Sequence, residues 1–254
     1  MILGTRPGRA THRTASARSM SSDLSFDGRN LMLTAPCRAH LLPLMPYQDL
    51  NPLQLRITLA EIEPSIWRRL IVPATWHLGQ LHLAIQAAFN WWNYHLHEFR
   101  IGGLRYGDLE FDDGGYPDSP RLFDESEVRL LDFGRDPGMA FTYLYDFGDD
   151  WHHRVEIERH VAFDPVPKTA TCTGGARARP LEDVGGVGSY ENFLAVMADL
   201  DDPEHADMKR WCGGYFDPDW FDIALTDKDV RNALRPNGRR RLYQPKPKRP
   251  GRPA

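Results

Sequence analysis

The chain has 254 residues, 41% apolar and 26% charged, which suits a globular fold with a sizeable core and excludes fibrous or low-complexity classes. No apolar run approaches the ~20 residues of a membrane-spanning helix, and three scattered cysteines, Cys37, Cys172 and Cys212, without a C-x-x-C pair exclude a disulfide framework and point to a reducing, cytoplasmic setting. Residues 1–22 and 235–254 carry four and eight basic side chains and no acid, so the net −4 leaves −16 on residues 23–234; that acidic body repels phosphate, and nucleic-acid affinity is expected only at the ends.

Residues 1–49 show no periodicity and too little apolar surface to offset the ordering entropy, so they read as a disordered leader. Order begins at about residue 50. Leu53, Leu55, Ile57 and Leu59 alternate with polar or small residues, which predicts a half-buried strand. Ile66 to Val72 predicts a second strand, stopped by Pro73. Leu78, Leu81, Ala84, Ile85, Ala88, Phe89 and Trp92 recur at helical spacing, with Gly79 as the expected N-cap. His95 to Ile101 and Leu104 to Tyr106 flank Gly102-Gly103, a hairpin signature. Residues 107–126 read as an acidic loop, Val128 to Phe133 as a short strand, and residues 162–188 as a long Gly/Pro loop. Three helices follow. Ser189 and Thr226 are the expected caps of the first and third; Asp202-Pro203 opens the second and Gly213-Gly214 ends it. Beyond residue 234 the chain is basic, proline-rich and expected to be disordered.

At the centre lies Tyr143-Leu-Tyr-Asp-Phe-Gly-Asp-Asp-Trp-His-His153. Phe141, Tyr143, Tyr145 and Phe147 alternate on one side of Gly148, and Trp151, His153, Val155 and Ile157 on the other. Period two on both sides of a Gly-Asp-Asp predicts two antiparallel strands joined by a tight turn, with positive φ at Gly148. One face of this hairpin is aromatic, and its tip carries acids and histidines.

These residues also carry a likeness. Pro64-Ser-Ile-Trp-Arg-Arg69, the helix bearing Leu81-His82 and Ile85-Gln86, Trp92 with His95-Leu-His97 and Phe99, Tyr145-Asp-Phe-Gly-Asp-Asp-Trp151, Cys172 with Gly174, and Pro180, Glu182-Asp183, Gly185-Gly186 and Tyr190 occur in order. Together they resemble the plasmid pRiA4b ORF-3-like family over roughly residues 50–234. The resemblance implies a mixed α+β roll with no established activity, in a family found on plasmids, in insertion elements and in chromosomes. Val187-Gly188-Ser189-Tyr190 departs from the family's more usual bulky residue and Gly-Tyr, which bears on the shape of that loop.

Several residues merit weighing as a site. Asp146-Phe147-Gly148 spells a kinase metal-binding tripeptide, but neither a Gly-rich phosphate loop nor a His-Arg-Asp catalytic loop accompanies it. Asp149, Asp150, His152 and His153, joined by His95 and His97, have the donor types of a divalent-metal site. Acids at a tight turn more often bond backbone amides, and a histidine beside tryptophan is more often a satisfied core side chain. Glu182 and Asp183 offer a general base to a cleft, or acceptors to the amides of Gly185-Gly186, which is the favoured role. No Ser-His-Asp or Cys-His spacing is present. Trp67, Trp91, Trp92, Trp151, Trp211 and Trp220 read as core.

The expectation is therefore one α+β domain over residues 50–234, an antiparallel, roll-like sheet with helices on one face, between a 1–49 leader and a 235–254 tail. Its function is expected to be that of a non-catalytic interaction module, without a resident cofactor. Tyr145, Asp146, Asp149, Asp150, Trp151, His153, Glu182 and Asp183 are the candidates for holding a protein partner. Arg239, Arg240, Arg241, Lys246, Lys248, Arg249 and Arg252 are candidates for weak nucleic-acid contact. The alternative is a metal-dependent hydrolase using Asp149, Asp150 and the histidine cluster of the central hairpin, with His95, His97 and Asp149 as the candidate metal ligands.

Overall fold

The alternation of apolar residues from Leu53 onward becomes one mixed sheet with a dry face and a charged face. The computed structural model describes residues 51–111, 121–236 and 243–247, all within the compact unit Met45–Ala254. Its strands are β1 (Leu53–Leu59), β2 (Trp67–Val72), β3 (His97–Ile101), β4 (Leu104–Gly107), β5 (Leu122–Asp124), β6 (Ala140–Tyr145), β7 (Trp151–His160) and β8 (Thr171–Ala176). They lie in the order β5-β4-β3-β6-β7-β1-β2-β8. Every pairing is antiparallel except β4 with β5. The α-helices among the described residues are α1 (Leu78–Phe89), α2 (Leu130–Phe133), α3 (Gly186–Ala198), α4 (His205–Trp211) and α5 (Ile223–Arg231). This is the α+β, largely antiparallel domain that the periodicities predict. None of its helices is long and apolar enough to cross a membrane.

Leu53, Leu55, Ile57 and Leu59 of β1 and Trp151, His153, Val155 and Ile157 of β7 are buried on the dry face, under α1. The other face carries a polar ladder: Arg69 Nε and Gln54 Nε2 donate to Glu158 at 2.7 and 2.6 Å, and Arg159 donates to Gln54. Such a one-sided sheet pins its register, because a slip by one residue would expose the whole apolar set.

Several boundaries differ from expectation. Helix α1 is capped at His77, whose backbone N–H donates to Gln80 Oε1 at 3.1 Å; Gly79 lies inside the first turn. A Cβ at Gly79 would stand 2.7 Å from Glu125 Oε1, so the glycine makes room for a carboxylate. Val128 to Phe133 is not a strand. Arg129 N–H bonds Asp132 Oδ2 at 2.9 Å, an (i, i+3) cap that turns the segment into the single turn of α2. Two strands hid in predicted loops. Strand β5 is three residues long, and β8 contains Gly174 and Gly175, which read as turn residues. Here glycine permits close approach: a Cβ on Gly175 would come within 2.5 Å of the Phe221 ring. Helix α3 begins at Gly185 (φ 94°), with Ser189 a turn inside it, and α5 is capped by Asp222, which accepts from Leu225 N–H, rather than by Thr226. Gly213 and Gly214 follow α4 at φ 83° and 92°, as predicted.

The leader 1–49 and Arg239, Arg240, Arg241, Lys248, Arg249 and Arg252 lie outside the described residues. Residues 243–247 pack against the body, unlike the free tail expected there. Gln244 accepts from Asp217 N–H and donates to Asp217 O, and Lys246 Nζ donates to Gly213 O at 2.7 Å.

Candidate functional site

The hairpin tip is built by two aspartates. Strand β6 ends at Tyr145, paired with Trp151, and residues 146–150 connect them. Asp146 and Asp150 both take φ 59°, and Gly148 does not, which corrects the expected turn. The geometry needs the left-handed region at the two ends of the loop, and aspartate tolerates it where its carboxylate bonds nearby backbone. Asp146 Oδ1 accepts from Gly148 N–H (2.9 Å) and Asp149 N–H (3.2 Å), and Asp150 N–H returns to Asp146 O at 2.7 Å. Asp146 N–H bonds Leu96 O, tying the tip to the segment before β3.

A second loop docks on this tip. Asp149 Oδ2 accepts from Gly185 N–H at 3.0 Å. A Cβ on Gly186 (φ 81°) would lie 2.7 Å from Asp149 O, so only glycine allows the start of α3 to approach so closely. The docking delivers Glu182 and Asp183 beside the hairpin. Glu182 is buried; its Oε1 accepts from Trp92 N–H at 2.6 Å, and Tyr145 Oη donates to its Oε2 at 3.4 Å. Burial raises the carboxyl pKa of Glu182, opposed by the Trp92 amide and Arg179. The expected bond from this pair to the glycine turn is absent; Asp149 takes that amide instead.

His95 stands at the convergence. Its Nε2 lies 3.2 Å from Asp183 Oδ1, 3.5 Å from Asp146 Oδ2 and 3.8 Å from Glu182 Oε2, and it has no hydrogen-bond partner of good geometry. One ligand atom each from His95, Asp146 and Asp183 falls within 4.8 Å of the others. Asp146 and Glu182 each spend one carboxylate oxygen on backbone and present the other to His95, which fixes their orientation before anything binds.

The expected metal set does not assemble. His97 stacks on His82 with ring centroids 3.5 Å apart, and its Nε2 bonds Glu125 at 2.8 Å, away from His95. Asp149 is committed to Gly185, and Asp150 pairs with His152 at 3.1 Å. His153 is fully buried. Its Nδ1 faces the carbonyls of Tyr143 and Trp151, so Nδ1 carries the proton and Nε2 accepts from Trp91 Nε1 at 3.4 Å. This neutral imidazole has its pKa pushed down to about 3 by burial. Trp151 is buried in the same cluster, 5.9 Å from Trp91 between ring centroids. His153 and Trp151 therefore support the tip from below. Phe147, expected on the aromatic inner face, points outward at 48% exposure beside Tyr94 (61%) and Leu96 (41%).

A cavity of about 580 Å³ adjoins the cluster and shares Trp92, Glu182 and Asp183 with it. Trp211 and Trp220 line it, so three of the tryptophans read as core are wall residues instead. Its floor holds Arg68 and Arg179, which sequence reasoning passed over. The signal for Arg68 was available, because it shares strand parity with Leu70 and Val72 in β2 and so had to point inward. Arg179, in a loop, gave none.

The fold recurs in a solved structure, and the sequence is similar to that of a curated relative. The crystal structure of a protein of unknown function, MM3350 from Methanosarcina mazei Go1, is similar with a TM-score of 0.61 and 36% identity, over 69% of this chain and 96% of that one. The uncharacterized protein y4hQ of Sinorhizobium fredii (strain NBRC 101917 / NGR234) is 40% identical over 167 residues, 63% of this chain and 80% of the relative. Residues 51–225 match the family model described as plasmid pRiA4b ORF-3-like protein, a span running from β1 through the hairpin tip and its docked loop into α5. With the quoted motifs, the fold and the matched span in agreement, the chain belongs to the plasmid pRiA4b ORF-3-like family.

Proposed function

We propose that the chain is a non-catalytic interaction module whose hairpin tip receives a basic segment of a protein partner with a large apolar anchor. The observation that carries this reading is the exposed set of Tyr94, Leu96 and Phe147, which line one cleft of about 810 Å³ alongside His95. Grouped exposed apolar side chains forgo roughly 25 cal/mol per Å² of burial and commonly mark interaction surfaces. Asp146, Asp149 and Asp150 share the loop of Phe147, Asp183 faces Asp146 across His95, and residues 23–234 carry a net −16, so a basic segment is the complementary occupant. Panning a random peptide library against the chain, with a Tyr94→Ser/Phe147→Ser variant for subtraction, is expected to enrich Lys/Arg-rich peptides bearing Leu, Phe or Trp. Enrichment of acidic peptides, or none specific to the native tip, would overturn the reading.

Such a module suits an accessory protein of a plasmid or other mobile element, held near nucleic acid by residues 235–254. If about five of the eight tail cations engage phosphates, log affinity for duplex DNA falls against log salt with a slope of about −4 to −5. Deletion of 235–254 is expected to abolish that binding in a salt titration. Undiminished binding by the truncated chain would place nucleic-acid recognition on the body.

The donor set of His95, Asp146 and Asp183 favours a second reading, a divalent cation at the tip supporting metal-dependent hydrolysis. On the interaction reading, protein purified without chelator carries sub-stoichiometric metal, and Zn²⁺ or Mn²⁺ leaves its melting temperature unchanged. A tight site at a hundredfold excess over its Kd would add about 2.7 kcal/mol. One equivalent of metal, lost in Asp183→Asn, would favour the second reading.

A further inference from the structure

The floor of the 580 Å³ cavity carries two buried cations without a carboxylate partner. Arg68 and Arg179 are 4% and 9% exposed. Arg68 donates from Nε to Ala88 O (2.9 Å), from Nη1 to Trp67 O and Ala176 O (2.7 and 2.8 Å), and from Nη2 to Arg177 O (2.8 Å). Arg179 donates from Nε to Asn90 O (3.3 Å) and from Nη1 to Pro180 O. These acceptors are neutral carbonyls, and Nη2 of Arg179 bonds none of them. Among the described residues, neither guanidinium forms an ion pair, although the half-buried Arg177 and the exposed Arg231 do.

Buried charges are ordinarily paired, because stripping water from an ion costs several kcal/mol even after relaxation. Here burial lowers the pKa of both guanidiniums to about 10. Glu182 is the closest electrostatic relief for Arg179, but burial raises its own pKa and its oxygens serve Trp92 and Tyr145. One carboxyl already engaged by Trp92 and Tyr145 does not balance two cations. Lys246, anchored on Gly213 O, adds a third basic side chain to the lining. The walls are aromatic: Arg68 stacks over Phe89 and Phe221 at 5.0 and 4.5 Å, Arg179 over Trp91 and Trp92 at 4.9 and 5.7 Å.

We infer that this cavity is a binding site for a small organic oxyanion, a carboxylate or phosphate carried on a flat apolar body. The oxyanion sits against the free Nη2 of Arg179, where a planar donor fork suits it, and the apolar body lies along Trp92, Trp211 and Phe221. The volume is in the range of known ligand pockets, roughly 300–1,000 Å³, with mostly apolar walls and a few placed polar groups. The cavity adjoins the tip and shares Asp183 with it, but Arg179, Trp211 and Phe221 lie outside the Tyr94, Leu96 and Phe147 set proposed for the partner, so either assignment can fail alone.

The test titrates the full chain with 2-naphthoate, 2-naphthyl phosphate and neutral 2-naphthol, read by tryptophan fluorescence quenching and confirmed by calorimetry. At least one anion is expected to bind at least tenfold more tightly than 2-naphthol, and the tighter of the two identifies the oxyanion. Arg179→Met is expected to bring the anions down to the naphthol level. Since Arg179 also holds two loop carbonyls, Trp211→Ala, at a half-exposed wall residue, provides the check should that variant fail to fold. It is expected to weaken anion and naphthol alike by at least threefold. Equal binding of charged and neutral probes, no binding at millimolar concentration, or anion binding untouched by Trp211→Ala would overturn the inference.

Discussion

Replacing Trp151 by alanine is expected to cost about 3–5 kcal/mol of unfolding free energy, the range for deleting a buried large aromatic. Trp151 opens β7 opposite Tyr145, is 1% exposed, and packs on Trp91 beneath the tip. Its loss would leave a cavity where β6, β7 and the segment after α1 meet, so the surrounding rings cannot close it cheaply. Urea unfolding of the Trp151→Ala variant checks the value. A loss under about 1 kcal/mol accompanied by lost peptide binding would move Trp151 from support to contact surface.

The second large effect is on pH. His153 is neutral in the fold with a pKa near 3, against an ordinary 6.5 when unfolded. Above pH 6.5 both states are neutral and the stability is complete. Below it the unfolded chain takes up a proton that the folded chain refuses, so stability falls by about 1.4 kcal/mol per pH unit until the folded pKa is reached. Between pH 6.5 and 5 the loss is about 2 kcal/mol. Glu182 acts in the opposite sense, since its raised pKa lets the fold bind a proton first, and Glu158, held down by Arg69, adds to the loss only below about pH 4.5. Denaturant unfolding at pH 7, 6 and 5 should show this slope in the native chain and a flatter one in His153→Gln. Equal slopes would contradict the assignment.

How far the sequence reveals this molecule depends on the range of the interactions. Strands β1, β2, β6 and β7 are legible because alternation is local and one sheet face is dry. The Gly102-Gly103 turn is legible because both residues need positive φ, at 58° and 84°. Strand β8 is not, since its glycines reflect the approach of Trp67 and Phe221, residues distant in the chain. The same holds for the site. Asp146, Glu182 and Asp183 were identifiable as candidates, but their meeting at His95 depends on Gly186 lying against Asp149, a contact with no local signature. His95 and His97 share a strand parity and yet diverge, because His97 is captured by His82 and Glu125. The turn itself misled: glycine is the usual carrier of positive φ, and here two aspartates take it with the help of backbone bonds.

The central claim is that the tip of the β6–β7 hairpin is a partner-binding surface. Fluorescence anisotropy of a labelled Lys/Arg-rich peptide carrying one Trp, titrated with the chain, tests it most directly. The account predicts saturable binding that weakens as salt is raised, falls at least tenfold in Phe147→Ser, and survives deletion of residues 235–254. Binding that is unaffected by Phe147→Ser, or that disappears with the tail, would contradict it.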